Sequence, residues 1–400
     1  MAGKPIYGVG LDAGARWTRI VVCLLDGGRL RFLGAGVAES QGWTKGRITD
    51  QHAVSASIQA ALRDAEARSQ ISIGSACVGV GGPHLRGANG RGVIDFGQAR
   101  EIEQRDVNKV VDRASRVQLQ EDRMVLQLYP QDFVVDDHPG HRDPRRMMAT
   151  RLEINVHLIT SSHMEHNSIV GALNQAHLNV EETVFDAMAA GYACVLPEHR
   201  REGVAVVDIG SQSTELAVYY GESMQLASVV RVCGDHFTRD LAQGLCLSFE
   251  EAERIKLEFG AALDQPVADN VVVELPTPDE RQPRAVARKT VAAVLAARTK
   301  ELFKHVRAEF ARVGMDRSAL IGGVFLTGGA ARLPDLCDAA EKVLECQTRF
   351  GLPTGIRDWP EDLADPAWST VAGLSMYSAK LKAQAEQETQ ATGLLGRIMR

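Results

Sequence analysis

A cationic surplus, long apolar runs and clustered cysteines are all missing from this 400-residue chain. Lys and Arg number 45 against 51 Asp and Glu, for a net charge of −6. No basic footprint for nucleic acid is therefore expected. No window approaches the ~18 apolar residues that a bilayer-spanning helix needs. The seven cysteines, at 23, 77, 194, 233, 246, 337 and 346, are scattered with no CxxC spacing. That excludes a zinc framework or disulfide scaffold and reads as reduced thiols in a cytosol. Met1 to Tyr7 lead straight into a strand-like run without the apolar core of an export signal. What remains is an ordinary soluble composition, 45% hydrophobic and 24% charged, in a chain long enough for more than one core.

The most informative feature present is an approximate internal repeat. Ile6 to Leu30 (IYGVGLDAGARWTRIVVCLLDGGRL) and Gly203 to Leu226 (GVAVVDIGSQSTELAVYYGESMQL) share one plan. Each has an apolar strand, Asp-x-Gly, a polar turn, a second apolar strand and a glycine turn into a third, which predicts two similar hairpins. Asp12 and Asp208 sit at matching points about half the chain apart. Two similar domains facing across a cleft bring both tips together. Glycine-containing turns offer backbone N–H groups to phosphate oxygens, and a carboxylate at each tip holds a divalent cation through water.

Two further segments fit the same site. Ala319 to Leu336 places Thr327-Gly328-Gly329 between a strand and a helix, where glycines let a flat base approach the backbone. Cys233-Gly234-Asp235-His236 precedes a helix opened by a Ser248/Glu251 capping box. On that helix Glu253 and Lys256 share a face, either to bond a ribose and base or as an ion pair. His163/His166 read as a surface helix, and Asp136 to Asp143 as a plain loop rather than a metal loop.

These four segments, in this order, resemble the actin/Hsp70/sugar-kinase superfamily, and more closely the FtsA family of actin-like bacterial division proteins. RGVIDFGQAREIEQRDVNKVVDRA (91–114), LQLYPQDFVVDD (126–137), RLEINVHLIT (151–160), CGDHFTRDLAQGL (233–245) and EEAERIKLEFG (250–260) carry the resemblance. It spans roughly residues 5–378 and implies an α/β, actin-like two-lobed ATPase fold: duplicated RNase H-like domains plus an inserted αβ subdomain. The implied layout is a first subdomain (1–83 and 157–191), an insertion (84–156), a third subdomain (192–235 and 320–378) and a fourth (236–319).

The resemblance implies ATP with Mg²⁺ as cofactors. Asp12, Gly14, Ala15 and Arg16 would form the first phosphate tip; Asp208, Gly210, Ser211, Gln212, Ser213 and Thr214 the second. Gly234, Glu253, Lys256, Gly328, Gly329 and Ala330 would surround base and ribose. Asp12 and Asp208 would hold the metal, and Asp186, in the FDAMAA segment, would orient water, cap its helix, or do both. The chain departs from the family pattern where Ala15 replaces a hydroxyl and where Ser211 and Gln212 replace glycines. Turnover is accordingly expected to be slow at most.

Residues 379–392 read as a polar, flexible linker. At 100° per residue Leu394, Leu395, Ile398 and Met399 then share one arc, with Arg397 and Arg400 opposite, the pattern of a helix lying on anionic lipid. At most ~1.5–3 kcal/mol per buried side chain gives a weak anchor, which polymerisation would make avid. The family then implies a scaffold on the cytoplasmic face of the membrane at the division site. Its partners would be itself, the C-terminal peptide of FtsZ through 236–319, and later division proteins. A pilus-assembly-type adaptor and a sugar-kinase-type phosphotransferase are the alternatives.

Overall fold

The computed structural model describes residues 5–264, 271–275 and 284–398, with side chains through 387. The first lobe opens with β1 (Ile6–Ala13), β2 (Trp17–Asp26) and β3 (Arg29–Glu39), an antiparallel meander. A short hairpin, β4 (Trp43–Thr44) and β5 (Arg47–Ile48), precedes α1 (Gln51–Ser69) and β6 (Ser75–Val80). The β2–β3 turn uses Gly27 and Gly28 at φ +55° and +77°, the left-handed pair that a two-residue hairpin demands.

An inserted unit follows: β7 (Arg86–Glu101), α2 (Gln104–Ser115), β8 (Arg123–Val135), β9 (His138–His141) and β10 (Met148–Ser162). Its sheet runs β7-β10-β8-β9. Because β10 stays paired with β8 to Ser162, the sheet extends past the expected boundary at residue 156. β8 runs unbroken through Pro130 but is irregular there, where the register shifts, as a residue without an N–H requires. Gly90 and Gly92 let α2 settle on the sheet: a Cβ there would lie 2.2 Å from the Ala114 carbonyl and 2.1 Å from that of Val110.

The chain returns to the first lobe through α3 (His163–Gln175) and β11 (Asn179–Phe185), then crosses on α4 (Asp186–Cys194) and α5 (Pro197–Glu202). The second lobe repeats the plan with β12 (Val204–Ile209), β13 (Thr214–Tyr220) and β14 (Ser223–Val230). Then come α6 (Gly234–Leu245), α7 (Phe249–Phe259), the hairpin β15 (Val272–Leu275) and β16 (Arg284–Ala287), and α8 (Arg288–Arg312). The capping box at Ser248/Glu251 is formed. Finally β17 (Val324–Thr327), α9 (Leu336–Leu344), β18 (Thr348–Phe350), β19 (Ile356–Arg357) and α10 (Ser369–Ile398) complete the chain.

The sheet orders β11-β6-β1-β2-β3-β19 and β14-β13-β12-β17-β18 expose the duplication. In each, the strand carrying the aspartate is central, antiparallel to its hairpin partner and parallel to the strand on its other side. Residues 356–378, expected within the third subdomain (192–235 and 320–378), pack on the first lobe instead. β19 pairs with β3, and α10 lies along β1, where Ser375 Oγ donates to the Gly8 carbonyl and Ser378 Oγ accepts from Val9 N–H. The stretch 379–392, expected as a flexible linker, is part of α10. Its Ala, Gln, Glu and Lys residues are strong helix formers, so a polar composition does not by itself exclude a helix.

The inserted unit also touches the second lobe. His157 Nε2 accepts from Ala227 N–H at 2.9 Å while Nδ1 meets Asn89, and burial, helped by Arg312, lowers its pKa to about 4. Gln131 donates to the Met224 carbonyl and Arg142 pairs with Glu222. The outer edge of β14 is thereby covered.

The lobes meet where α10 crosses α4. A Cβ on Gly373 would stand 1.7 Å from the Ala189 carbonyl oxygen. Gly373→Ala is expected to lose ~1–3 kcal/mol or more of stability, read as a lower midpoint in denaturant unfolding. An unchanged midpoint would mean that the crossing is not tight.

Candidate nucleotide cleft

The hairpin registers decide which side chains face the space between the lobes. Asp12 on β1 stands opposite Arg19 on β2, and Asp208 on β12 opposite Glu215 on β13. Each lobe therefore contributes an acid from its first strand and a charged residue from its second. α4 adds Asp186, which is its first residue and not its cap, a place taken by Phe185. The end of β6 and the loop after it make room for Asp186: a Cβ on Gly79 or Gly81 would come within 2.3 Å of its carboxylate oxygens.

Together these elements enclose a cleft of about 520 Å³, within the range of small-molecule sites. Asp12, Gly14, Ala15, Arg16, Asp186, Asp208, Gly210, Ser211, Gln212 and Ser213 line it, as do Gly234, Glu253, Lys256, Gly328, Gly329 and Ala330. Thr214 does not. It is fully buried and its hydroxyl donates to the Val232 carbonyl at 2.7 Å, because it starts β13 on the core side of the pleat. Gly328, at φ +86°, packs so closely on Asp208 that a Cβ would be 2.3 Å from Oδ1, whereas Gly329 faces open space. Glu253 and Lys256 form the ion pair at 2.6 Å, and both bond Thr238.

Arg19, Glu215 and Thr370 line the cleft without having been expected there. Counting each hairpin's register outward from its turn would have found the first two. Thr370 donates to Asp208 at 2.7 Å but comes from α10, far along the chain.

The electrostatics are those of crowded acids. Burial, countered by Arg19 and reinforced by Asp208, raises Asp12 to about 6. Burial and then Asp208 raise Glu215 to about 7. Asp208 is pushed up by burial despite its bond from Thr370, and Asp186 rises well above the usual range through burial followed by Asp12 and Glu215. Such a cluster fits a bound cation, with open space at Gly329 for a flat or phosphorylated ligand. Among the described residues no three acids, cysteines or histidines are close enough together to hold a metal ion directly.

This duplicated architecture with acids at both hairpin tips defines an actin-like ATPase fold. The chain is similar to the PilM-PilN type IV pilus biogenesis complex (16% identity, TM-score 0.65, covering 93% of this chain and 98% of that one). It is also similar to MreB5 of Spiroplasma citri bound to AMPPNP (12%, 0.56, 96% and 99%). Residues 205–373 match the family model "Cell division protein FtsA", and residues 82–160 match "SHS2 domain inserted in FTSA". FtsA of Pseudomonas aeruginosa is 31% identical over 380 residues, covering 94% of this chain and 89% of that protein. FtsA of Escherichia coli K12 is 31% identical over 397 residues, covering 97% and 94%. The chain belongs to the FtsA family of cell division proteins.

Glu215 titrates near 7 when folded, above its ordinary 4.5, so the folded state binds this proton more tightly than the unfolded one. The stabilisation is complete below about pH 4.5 and is lost as pH rises through 7. Glu215→Gln keeps an acceptor for the Gly82 N–H and removes the titration. Between pH 5 and 7.5 the nucleotide-free parent should lose on the order of 1–3 kcal/mol more stability than this variant, measured by urea unfolding across the range. Parallel pH profiles would contradict the assignment.

Proposed function

We propose that this FtsA-family chain binds Mg-ATP between its lobes, polymerises, and tethers the tubulin-like protein FtsZ to the cytoplasmic face of the membrane at the division septum. The observation that carries the nucleotide reading is the convergence of Asp12, Asp186, Asp208 and Glu215 on one glycine-walled cleft. The tips at Gly14, Ala15 and Arg16 and at Gly210, Ser211 and Ser213 would cradle phosphates, with Arg19 supplying a cation from below. Asp12 and Asp208 would hold hydrated Mg²⁺, which when bound offsets phosphate charge. Gly234 and Gly328 to Ala330 would flank the base. Glu253 and Lys256 would reach the ribose only by loosening their mutual pair.

Asp186 is the proposed water-orienting group. Burial and neighbouring acids push it toward its neutral form, which suits holding a water better than deprotonating it. We propose slow turnover or none, with ATP acting chiefly as a conformational and assembly switch. Slow hydrolysis is also what the missing hydroxyl at Ala15 and the crowding at Ser211 and Gln212 favour.

Membrane attachment is assigned to Leu394, Leu395, Arg397, Ile398, Met399 and Arg400. The helical backbone of α10 through Ile398 supports this reading; Met399 and Arg400 lie outside the described residues. No helix among the described residues is long and apolar enough to cross a bilayer, so attachment would be peripheral. α6, α7, α8 and the β15–β16 hairpin are the proposed seat of the FtsZ peptide.

Two experiments test this. Electron microscopy on anionic lipid monolayers with Mg-ATP should show filaments that a chain ending at Thr392 fails to form on the lipid. Lipid-bound protein without filaments would break the link between cleft and assembly. Arg19→Gln should weaken equilibrium binding of a fluorescent ATP analogue by roughly 10- to 100-fold, the loss of one charge-assisted bond. Unchanged affinity would remove Arg19 from the phosphate site.

A further inference from the structure

Two hydrogen bonds tie the lobes together at the phosphate end of the cleft. Gln212 extends from the β12–β13 turn and its Oε1 accepts from the backbone N–H of Gly46 at 2.7 Å. Three residues on, Glu215 accepts from the Gly82 N–H, also at 2.7 Å. Gly46 and Gly82 belong to the first lobe and Gln212 and Glu215 to the second. At the other side of the cleft the lobes are linked more loosely, by Arg16 and Glu253 at 3.8 Å with Arg16 43% exposed.

The receiving turn is built for its role. Gly46 has φ +72°, and a Cβ there would lie 2.6 Å from Pro83 Cδ, so a side chain would lift the turn off its seat. A Cβ on Gly82 would lie 2.9 Å from the Gly46 carbonyl oxygen, which places the two first-lobe loops against each other. The β4–β5 hairpin is pinned from behind by Arg47 on buried Glu165 at 3.2 Å, and Thr49 and Asp50 donate to the Gly42 carbonyl. Gln212 therefore grips a stiff edge. Its amide is neutral, so it closes over the place assigned to phosphates without the repulsion a carboxylate would bring.

We propose that Gln212 is a positioning residue, an amide strap that holds the phosphate end of the cleft shut through Gly46 and must let go before nucleotide enters or leaves. The proposal rests on the nucleotide reading of the cleft. A single neutral hydrogen bond changes an opening equilibrium by roughly 2- to 10-fold, which makes it a gate and not a lock. Association and release are both slowed by the strap, and equilibrium affinity is touched less than either rate.

The test uses the full chain and two variants, Gln212→Ala and Gln212→Glu. Hydrogen–deuterium exchange of the segment around Gly46, without nucleotide, reads the strap directly. Stopped-flow binding and release of a fluorescent ATP analogue reads the gate. Gln212→Ala should speed Gly46 exchange and both nucleotide rates about 5-fold, association and release in similar proportion. Gln212→Glu keeps an acceptor and should restore slow exchange at Gly46. Unchanged Gly46 exchange in Gln212→Ala overturns the proposal, and faster release with unchanged exchange would make Gln212 a plain ligand contact, overturning it as well. Failure of the parent chain to bind the analogue would sink the nucleotide reading, while exchange at Gly46 would still decide whether the strap exists.

Discussion

At the crossing of α4 and α10 a side chain is missing where one would force the lobes apart. Gly373 faces the Ala189 carbonyl with no space for a Cβ, and Gly8 and Gly10 allow α10 to lie equally close along β1. Everything at the cleft depends on this contact. α4 begins at Asp186 and α10 carries Thr370, so the same crossing that joins the lobes also places an acid and the hydroxyl that bonds Asp208. A bulkier junction would separate groups that come from distant parts of the chain. Packing of this kind is bistable more readily than it is elastic.

Close approach has an electrostatic consequence. Asp12 and Glu215 are driven to about 6 and 7 and Asp186 and Asp208 also rise. The protein tolerates this frustration with one well-buried guanidinium, Arg19, and with backbone N–H donors. Four acids raised together at one site are a usual mark of a ligand-binding site. The inserted unit adds a second link. It leaves the first lobe yet docks on β14 of the second and the turn before it through His157, Gln131 and Arg142.

Much of the site could be read from local signals. The two Asp-x-Gly turns, the TGG turn and the GDH segment each announce themselves, because glycine and the hydrophobic period act over a few residues. Arg19 and Glu215 were missed even though they lie within the repeat, since their importance comes from cross-strand register. A hydroxyl beside a glycine turn looks alike in sequence whether it faces the cleft or the core, and Thr214 faces the core. The low hydrophobicity of 379–392 is shared by a flexible linker and a polar helix, so composition does not separate the two.

The repeat and the turn chemistry determined by themselves that this chain carries a duplicated hairpin with an acid at the tip of each copy, and the resemblance carried by its motifs supplied the α/β fold. These are local properties, written in periods of two and in glycine positions. Tertiary structure alone decided that α10 returns to the first lobe, that Asp186 and Thr370 join the two tips, and that Gln212 reaches Gly46. Such contacts join residues far apart in the chain, and their geometry follows from how helices and sheets pack. No spacing along the sequence records that packing.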